Sequence, residues 1–238
     1  MQLQERIKLV QDKIAAAAIA AGRDPGEVTL CAATKVQSDE TIRAAIAAGI
    51  TVCGENRVQE MSAHLATDTY AGAKLHFIGH LQTNKVKQVV GKVDLIESVD
   101  SERLLRAIDE QAGKLGIVQD ILLEVNVAGE LSKGGISPGE LPALAQLAQS
   151  LPHVQLCGLM AIPPIAHEPG ANTPYFSTMQ QLFVDIKSKM SDNQNRYMCL
   201  SMGMSGDFED AIAQGATLVR VGTALFGPRP PMHKPDQG

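Results

Sequence analysis

Eight apolar runs of strand length, separated by segments of helical pattern, constrain the fold of this chain more than any other feature of its sequence. The runs are nearly continuous in apolar residues, which is typical of strands that are buried on both faces of a parallel sheet. A helical segment between successive runs gives the alternation of a parallel α/β protein. The predicted strands are Val28–Lys35, Ile50–Asn56, Leu75–Leu81, Asp94–Val99, Ile121–Ala128, Val154–Ile162, Tyr197–Met202 and Leu218–Phe226.

Eight such strands predict a single (β/α)8 TIM-type barrel with an extra N-terminal helix. Apolar residues recur at helical spacing from Leu3 to Ile14, and Gly22 ends this first helix before any strand begins. No helix is predicted after the last strand, so we expect the first helix to fill that position in the outer ring. A doubly wound open sheet is the alternative. Because no Pro/Gly-rich linker divides the chain, we expect residues 1–238 to form one domain, with Pro228–Gly238 as a flexible tail.

Local signals predict where further helices and loops begin. The segment Ser137–Glu140 combines an N-cap serine, a proline at the first helical position and a glutamate at the third, which predicts a capping box. Pro142 lacks the N–H that an ideal helix uses, so we expect an irregular first turn. Ser205 is predicted to cap a helix over Asp207–Ala213. The segment Gly129–Gly135 predicts a mobile loop.

Composition argues against several classes of partner. The net charge is −5, only 3% of the residues are aromatic and Trp is absent, whereas nucleic-acid binding usually needs a basic face and often stacking rings. No apolar run approaches the length of a membrane span, and the charged N-terminus does not resemble a signal peptide. We therefore expect a cytoplasmic protein that binds no nucleic acid and no membrane, and whose ligand is a small molecule.

The four cysteines, Cys31, Cys53, Cys157 and Cys199, each lie within an apolar run. Their spacing gives no CxxC motif and no Cys/His pattern of a metal site. We interpret them as reduced thiols of the core and expect no bound metal.

In a parallel barrel the carboxyl ends of the strands meet at one mouth, where the active sites of this fold lie. The predicted strands bring Lys35, Asn56, His80, Ser201 and the segment Arg220–Thr223 to this mouth. Lys35 is the residue to explain, although a lysine there could merely mark where a strand meets water. For His80 we favour a structural role, as the partner of a strand-end hydrogen bond.

Two elements at this mouth suit a phosphate group. The turn Gly203–Gly206 leads into a helix, and Gly222 with Thr223 leaves the last strand with a bare backbone whose N–H groups can approach an anion. Each is also an ordinary structural device. Together with the strand-end Lys35, they favour a phosphorylated aldehyde that the lysine holds as a Schiff base. Pyridoxal phosphate (PLP) meets that description, and the phosphosugar of a Schiff-base aldolase is an alternative.

Six motifs extend from the first strand to Gly227. They are AATK with Lys35, GENRVQE (Gly54–Glu60), HFIGHLQTNK (His76–Lys85), GLMAI (Gly158–Ile162), LSMGMSGDFEDAI (Leu200–Ile212) and VRVGTALFG (Val219–Gly227). Their order and spacing resemble the pyridoxal phosphate homeostasis protein family, which is similar to the barrel domain of alanine racemases. The resemblance covers nearly the whole chain and implies the barrel fold and PLP as the cofactor.

The resemblance also implies roles for individual residues. Lys35 would carry the Schiff base, and Ser205, Gly222 and Thr223 would bind the phosphate. These four residues lie in the AATK, LSMGMSGDFEDAI and VRVGTALFG motifs. The resemblance therefore places the aldehyde and the phosphate of PLP at opposite ends of one site.

The same resemblance places Asn56 and Ser201 in the lining of the pocket and Arg220 opposite the pyridine nitrogen. A permanent cation at that position disfavours protonation of the nitrogen, so the ring is a poorer electron sink. Arg57 departs from the family pattern, in which many members carry tyrosine. We expect this change to alter the rim of the pocket and to leave the core chemistry intact.

The function that the resemblance implies is a PLP-binding protein of intracellular PLP homeostasis, without appreciable catalysis. PLP-dependent apoenzymes are candidate partners, and the sequence leaves open which of them, if any, receive the cofactor. The alternatives are a PLP-dependent amino-acid racemase and a Schiff-base aldolase on the same barrel. Two-base racemisation needs a second acid or base, which a tyrosine on an additional domain supplies in alanine racemases. We expect that domain to be absent here, because the chain ends shortly after its last strand.

Overall fold

A computed structural model describes residues 1–130, 133–190 and 196–228 of the chain. Its eight parallel strands close into a barrel in sequence order, with the first strand paired to the last. This closed sheet confirms the predicted (β/α)8 fold and excludes the open-sheet alternative. The strands are β1 (Thr29–Ala33), β2 (Val52–Glu55), β3 (Lys74–Phe77), β4 (Leu95–Val99), β5 (Gln119–Glu124), β6 (Val154–Met160), β7 (Cys199–Ser201) and β8 (Leu218–Val221).

Helices surround the barrel and connect the strands. The α-helices are α1 (Leu3–Ala20), α2 (Asp39–Ala47), α3 (Val58–Ala66), α4 (Glu102–Leu115), α5 (Leu141–Ser150), α6 (Thr173–Ser188), α7 (Phe208–Ala213) and α8 (Thr223–Phe226). Two short 3-10 helices cover Pro25–Glu27 and Thr83–Gln88, and the second of them connects β3 to β4. Within the described residues, no helix is both long enough and apolar enough to span a membrane.

The N-terminal helix packs against α2, α7 and α8 and so completes the outer ring, as predicted. Its Arg6 Nε donates a 2.5 Å hydrogen bond to the carbonyl of Leu225, and Lys13 forms a 2.9 Å ion pair with Glu209. These contacts connect the first helix to the last two helices of the chain. The ring is therefore closed by residues from opposite ends of the sequence.

The prediction that β8 continues to Phe226 with no helix after it is wrong. The strand ends at Val221, and the N–H groups of Leu225 and Phe226 both donate to the carbonyl of Gly222 at 2.9 Å, which forms the single turn of α8. An apolar run cannot by itself distinguish a buried strand from a buried turn of helix. Here the change of conformation occurs at Gly222.

The capping box predicted at Ser137 closes a turn and does not start a helix. The Glu140 carboxylate accepts hydrogen bonds from the backbone N–H and the hydroxyl of Ser137, at 3.0 and 2.7 Å, and α5 begins only at Leu141. Pro142 then lies in the first turn of the helix, where no hydrogen-bonded N–H is required. A helix from Pro138 would have placed Pro142 where its missing N–H costs a hydrogen bond.

Two predicted mobile segments extend beyond the described residues. Residues 131 and 132 of the predicted loop Gly129–Gly135 lie outside the described residues. Residues 229–238 of the predicted tail Pro228–Gly238 also lie outside them. The flanks of the loop are held by Asn126, whose N–H donates to Ile136 at 2.8 Å and whose side-chain amide donates to Glu130 at 2.8 Å.

Alternate strand residues lie inside the barrel, away from the main core between sheet and helices. Cys31 and Ala33 of β1 join Val52 and Leu218 in one interior apolar cluster. All four cysteines of the chain are free thiols, of which Cys31 and Cys53 are buried and the other two are half-buried. Leu95, Leu122 and Met160 form a second apolar cluster, and the polar interior positions build the site described next.

Candidate functional site

The turn that carries Lys35 is fixed by hydrogen bonds on both sides of the lysine. Before it, the fully buried Thr34 donates from its N–H to the carbonyl of Gly54 at 3.0 Å. After it, the N–H of Val36 donates to the Glu60 carboxylate at 3.1 Å. Val36 has a φ of 59°, a left-handed conformation that is rare for a β-branched residue. The surrounding hydrogen bonds therefore hold Lys35 in a turn that the local sequence would not favour.

A buried glutamate supports the same turn. One carboxylate oxygen of Glu55 accepts hydrogen bonds from the hydroxyls of Thr34 at 2.5 Å and Tyr70 at 2.9 Å. The other oxygen is buried without a hydrogen-bond partner among the described residues. Burial raises the pKa of Glu55 above its ordinary value of 4.5, despite the two hydroxyl donors.

Lys35 opens into a cavity of about 300 Å³ at the carboxyl ends of the strands, which we call the Lys35 cavity. Six of the seven residues predicted to form the site line it, and these are Lys35, Asn56, Ser205, Arg220, Gly222 and Thr223. Ser201 does not line it, because it is fully buried behind Arg220. The barrel thus brings together side chains that are far apart in the sequence.

Ser205 does not cap the following helix, contrary to the sequence prediction. The residue before α7 is Asp207, whose carboxylate accepts a 2.7 Å hydrogen bond from the N–H of Met204. The hydroxyl of Ser205 instead accepts hydrogen bonds from the N–H groups of Gly222 at 3.2 Å and Ala224 at 3.3 Å. Asp207 lies two residues after Ser205 and directly precedes the helix, and the local sequence alone does not distinguish these two candidate caps.

Gly222 and Ser205, which are joined by one of these hydrogen bonds, line one end of the Lys35 cavity. Gly222 has a φ of −119°, which any residue adopts, and a Cβ atom there would make an ordinary 3.5 Å contact with Ala33. The backbone therefore does not require glycine at this position. Thr223, which follows, is exposed and adds a hydroxyl to the lining. Backbone N–H groups with nearby hydroxyls are suitable donors for a phosphate.

Arg220 lies at the floor of the cavity and is buried, with 4% of its surface exposed. Its guanidinium donates to the hydroxyl of Ser201 and, at 2.8 Å, to the carbonyl of Ala161. The Glu97 carboxylate lies 3.7 Å away and completes an ion pair. The guanidinium is planar, so these contacts on one side fix the direction in which its remaining N–H groups point.

Glu97 and His76 are parts of the site that the sequence analysis did not identify. Glu97 is fully buried, and its two oxygens accept hydrogen bonds from Ser201 at 2.6 Å and from the His76 ring at 2.7 Å. Burial alone would raise the pKa of Glu97, but the hydrogen bond and charge of His76 and the charge of Arg220 bring it below its ordinary value. The signal that could have revealed Glu97 is an acidic residue inside an apolar strand run.

The same interior holds Cys31, His76 and Glu97 with ligand atoms within 4.8 Å of one another, which is the spacing of a metal site. The donor set argues against a cation there. Glu97 is already committed to Arg220 and Ser201, and burial together with the Glu97 charge raises the pKa of the Cys31 thiol well above its ordinary value. We therefore interpret Cys31 as a neutral core thiol, as the sequence analysis did.

The residues at the rim make contacts that suit structural roles. The His80 ring lies 3.3 Å from the Asp100 carboxylate, with 65% of the His80 side chain exposed. Arg57 is also exposed and pairs with Glu60 at 3.2 Å. Neither residue lines the Lys35 cavity.

The raised pKa of Glu55 predicts a pH dependence of stability. Since its pKa is higher in the folded protein than in the unfolded chain, Glu55 favours folding below pH 4.5, and this contribution is lost as the pH rises through the folded pKa. Glu55→Gln cannot ionise, so its free energy of unfolding should rise relative to that of the wild type as the pH increases above 4.5. Urea unfolding at a series of pH values measures this difference. The exposed Glu168→Gln is the control, and parallel curves for Glu55→Gln and wild type would contradict the assignment.

Comparison with known proteins places this geometry in a family. The sequence model of the alanine racemase N-terminal domain matches residues 12–230. The pyridoxal phosphate homeostasis protein of Aquifex aeolicus is 43% identical over 229 residues, which cover 96% of this chain and 99% of that protein. The protein of the same name from Pseudomonas aeruginosa is 40% identical over 227 residues, 95% of this chain and 96% of that one.

Solved structures agree with the sequence comparison. PipY from Synechococcus elongatus PCC7942, solved with PLP bound, is 37% identical with a TM-score of 0.81, and the match covers 95% of this chain and all of PipY. An alanine racemase from Streptomyces lavendulae shares the fold, with a TM-score of 0.70 at 18% identity, and the match covers 58% of that longer chain. The chain therefore belongs to the alanine racemase N-terminal domain family and, within it, to the pyridoxal phosphate homeostasis proteins.

Proposed function

We propose that this protein binds PLP covalently through Lys35 and takes part in intracellular PLP homeostasis without appreciable turnover of an amino acid. The observation that carries the proposal is the convergence of an amine, a guanidinium, two hydroxyls and the Gly222 backbone on one cavity of about 300 Å³. A PLP-bound relative at 37% identity supports the choice of ligand. When bound, PLP supplies an aldehyde carbon that reacts with an amine and a pyridine ring that withdraws electrons.

The residues present fit this cofactor at both ends. The N–H groups of Gly222 and Ala224 point to a common acceptor, which is the Ser205 hydroxyl, so a phosphate oxygen can occupy or share that position. Asn56 contributes a buried side-chain oxygen for which the described residues provide no partner. A ligand in the cavity can donate a hydrogen bond to that oxygen. Without such a donor, a buried polar atom lowers the stability of the protein.

Arg220 favours binding over turnover. An arginine guanidinium is a permanent cation. The buried contacts of Arg220 with Ser201 and Glu97 hold it in place. A fixed cation beside the ring nitrogen disfavours its protonation, which weakens the ring as an acceptor of carbanion electrons. The site can therefore hold PLP while giving little support to racemisation.

We also propose that the protein acts in the cytoplasm and that PLP-dependent apoenzymes are its partners. The four free thiols suit a reducing compartment. The relatives are named for PLP homeostasis. PLP-dependent apoenzymes are the proteins that take up PLP as their cofactor. Schiff-base aldolase chemistry remains the second candidate on this barrel, and a visible absorbance band of the PLP-bound protein separates the two functions.

The phosphate end of the site is tested by Thr223→Val. Losing a charge-assisted hydrogen bond should weaken PLP binding by about one to two orders of magnitude, and the protein should still react with PLP at high concentration because Lys35 is intact. Pyridoxal, which lacks the phosphate, should bind the wild type poorly and be nearly indifferent to the substitution. Absorbance titration of both ligands measures this, with the exposed Thr178→Val as control. Equal binding of pyridoxal and PLP to the wild type would contradict the phosphate site.

The absence of appreciable catalysis is tested with the purified, PLP-loaded protein. We expect no appreciable racemisation of alanine or other common amino acids, because Arg220 weakens the electron sink. Chiral chromatography of the amino acid after prolonged incubation measures the reaction. Robust racemisation that disappears in Lys35→Ala would show instead that the protein is an enzyme.

A further inference from the structure

A second cavity adjoins the Lys35 cavity at the same end of the barrel. It has a volume of about 520 Å³ and shares Asn56, Ile78 and Ile162 with the first cavity. Its lining also includes Glu124, the last residue of β5, and we call it the Glu124 cavity. The proposed PLP site gives no role to Glu124. The Glu124 cavity thus offers space for a ligand that lies directly beside the cofactor.

Glu124 is a buried acid without a direct partner. It is 7% exposed, and burial, followed by the charge of Asp100, raises its pKa above the ordinary value. Within residues 1–130, 133–190 and 196–228, its carboxylate takes part in no hydrogen bond and no ion pair, and no hydrogen bond contributes to its pKa shift. A buried carboxylate in this condition is costly unless a cation or a hydrogen-bond donor meets it.

The cationic side chains around the cavity are held by other groups. Lys133 pairs with Glu130 at 3.1 Å, His80 with Asp100 at 3.3 Å, and Arg220 with Ser201 and Glu97. His80 and Arg220 lower the pKa of Glu124 only through their charges at a distance. The Glu124 carboxylate therefore keeps its hydrogen-bonding capacity for a ligand.

The arrangement suits an ammonium group better than a metal ion. A Cβ atom placed on Gly134 would lie 3.4 Å from a Glu124 oxygen and 3.7 Å from an Asp100 oxygen, so both carboxylates face the same part of the wall. Among the described residues, the one group of acids, histidines and cysteines close enough for a metal lies elsewhere, inside the barrel. The buried oxygen of Asn56, which lines the same cavity, adds a further acceptor. Asp100 is already paired with His80 and contributes negative charge nearby, so Glu124 and Asn56 supply the acceptors for the N–H bonds of an ammonium.

We propose that the Glu124 cavity binds the ammonium group of a short aliphatic diamine, whose methylene chain contacts Ile78 and Ile162 and whose second amine reaches the Lys35 cavity. The two isoleucines lie on the boundary shared by the cavities, where an apolar chain would cross. The placement of the second amine rests on the proposed PLP site.

The second amine would exchange with Lys35 at the bound cofactor. Its neutral nitrogen adds to the carbon that Lys35 holds through a carbon–nitrogen double bond, and the bond from that carbon to the Lys35 nitrogen then breaks. Two protons pass from the incoming nitrogen to the departing Lys35 nitrogen, which leaves as a neutral amine. Atoms and electrons balance without an oxidant or a reductant. Glu124 is in this account a positioning residue, because it holds the far ammonium and does not touch the reacting carbon.

The ammonium site is tested first on the full-length, PLP-free protein by calorimetric titration with 1-aminobutane and the neutral 1-butanol. The amine should bind the wild type about tenfold more tightly or better, because only it carries an ammonium group for Glu124. The nearly isosteric Glu124→Gln should remove this preference, and Asp100→Asn should reduce it. The exposed Glu168→Gln is the matched control. Equal affinities for the amine and the alcohol, an unchanged preference in Glu124→Gln, or displacement of the amine by Mg²⁺ would overturn the proposal.

The exchange is tested on the PLP-loaded protein through its visible absorbance. The diamine should shift the spectrum at about tenfold lower concentration than 1-aminobutane, and Glu124→Gln should bring the two concentrations together. Identical concentrations in the wild type would contradict the placement of the second amine. If PLP itself fails to bind, the proposed function fails, whereas the titration of the PLP-free protein still decides whether the ammonium site exists.

Discussion

The buried ion pair between Arg220 and Glu97 is the interaction on which the candidate site depends. It connects β8 to β4 across the inside of the barrel, and Ser201 of β7 and His76 of β3 complete its hydrogen bonds. Removing one member of such a buried pair typically costs about 3–5 kcal/mol, because the remaining charge is left uncompensated. The pair therefore ties the position of the Arg220 guanidinium to the closure of the sheet.

The barrel holds two chemically different cavities at one end. The Lys35 cavity combines an amine, a guanidinium and backbone N–H groups, all of which are donors or nucleophiles. The neighbouring Glu124 cavity presents carboxylate and amide oxygens, which are acceptors. The first cavity therefore suits an anionic group and the second an ammonium group. The division follows from which strand supplies each wall, since Lys35 lies two residues after β1 and Glu124 ends β5 on the opposite side of the ring.

Much of this could be predicted from the sequence, because apolar runs report burial and the closure of a parallel barrel brings the strand ends together. Lys35, Asn56 and Gly222 were placed correctly at one mouth by that reasoning. Ser201 was assigned to the pocket wall but lies behind Arg220, and Ser205 receives N–H groups from a different part of the chain. Such differences depend on tertiary contacts that local spacing does not contain.

The missed acids have a common origin. Glu55, Glu97 and Glu124 all occur inside or at the end of apolar strands, where an alternation of polar and apolar residues is not expected. The partners of Glu55 and Glu97 are distant in the sequence, and the Glu124 carboxylate has no hydrogen-bond partner among the described residues, so no motif marks these acids. A similar limit applied to Ser137, where a complete capping signal formed a turn because Pro142 requires the helix to begin later.

The central claim is that Lys35 is the residue to which PLP is attached. Reduction of the PLP-loaded protein with borohydride fixes the cofactor to the nitrogen that holds it, and peptide mapping by mass spectrometry then identifies the residue. We predict a pyridoxyl group on Lys35, with Lys35→Ala unlabelled under the same conditions. Labelling confined to another lysine, with Lys35 unmodified, would contradict the account.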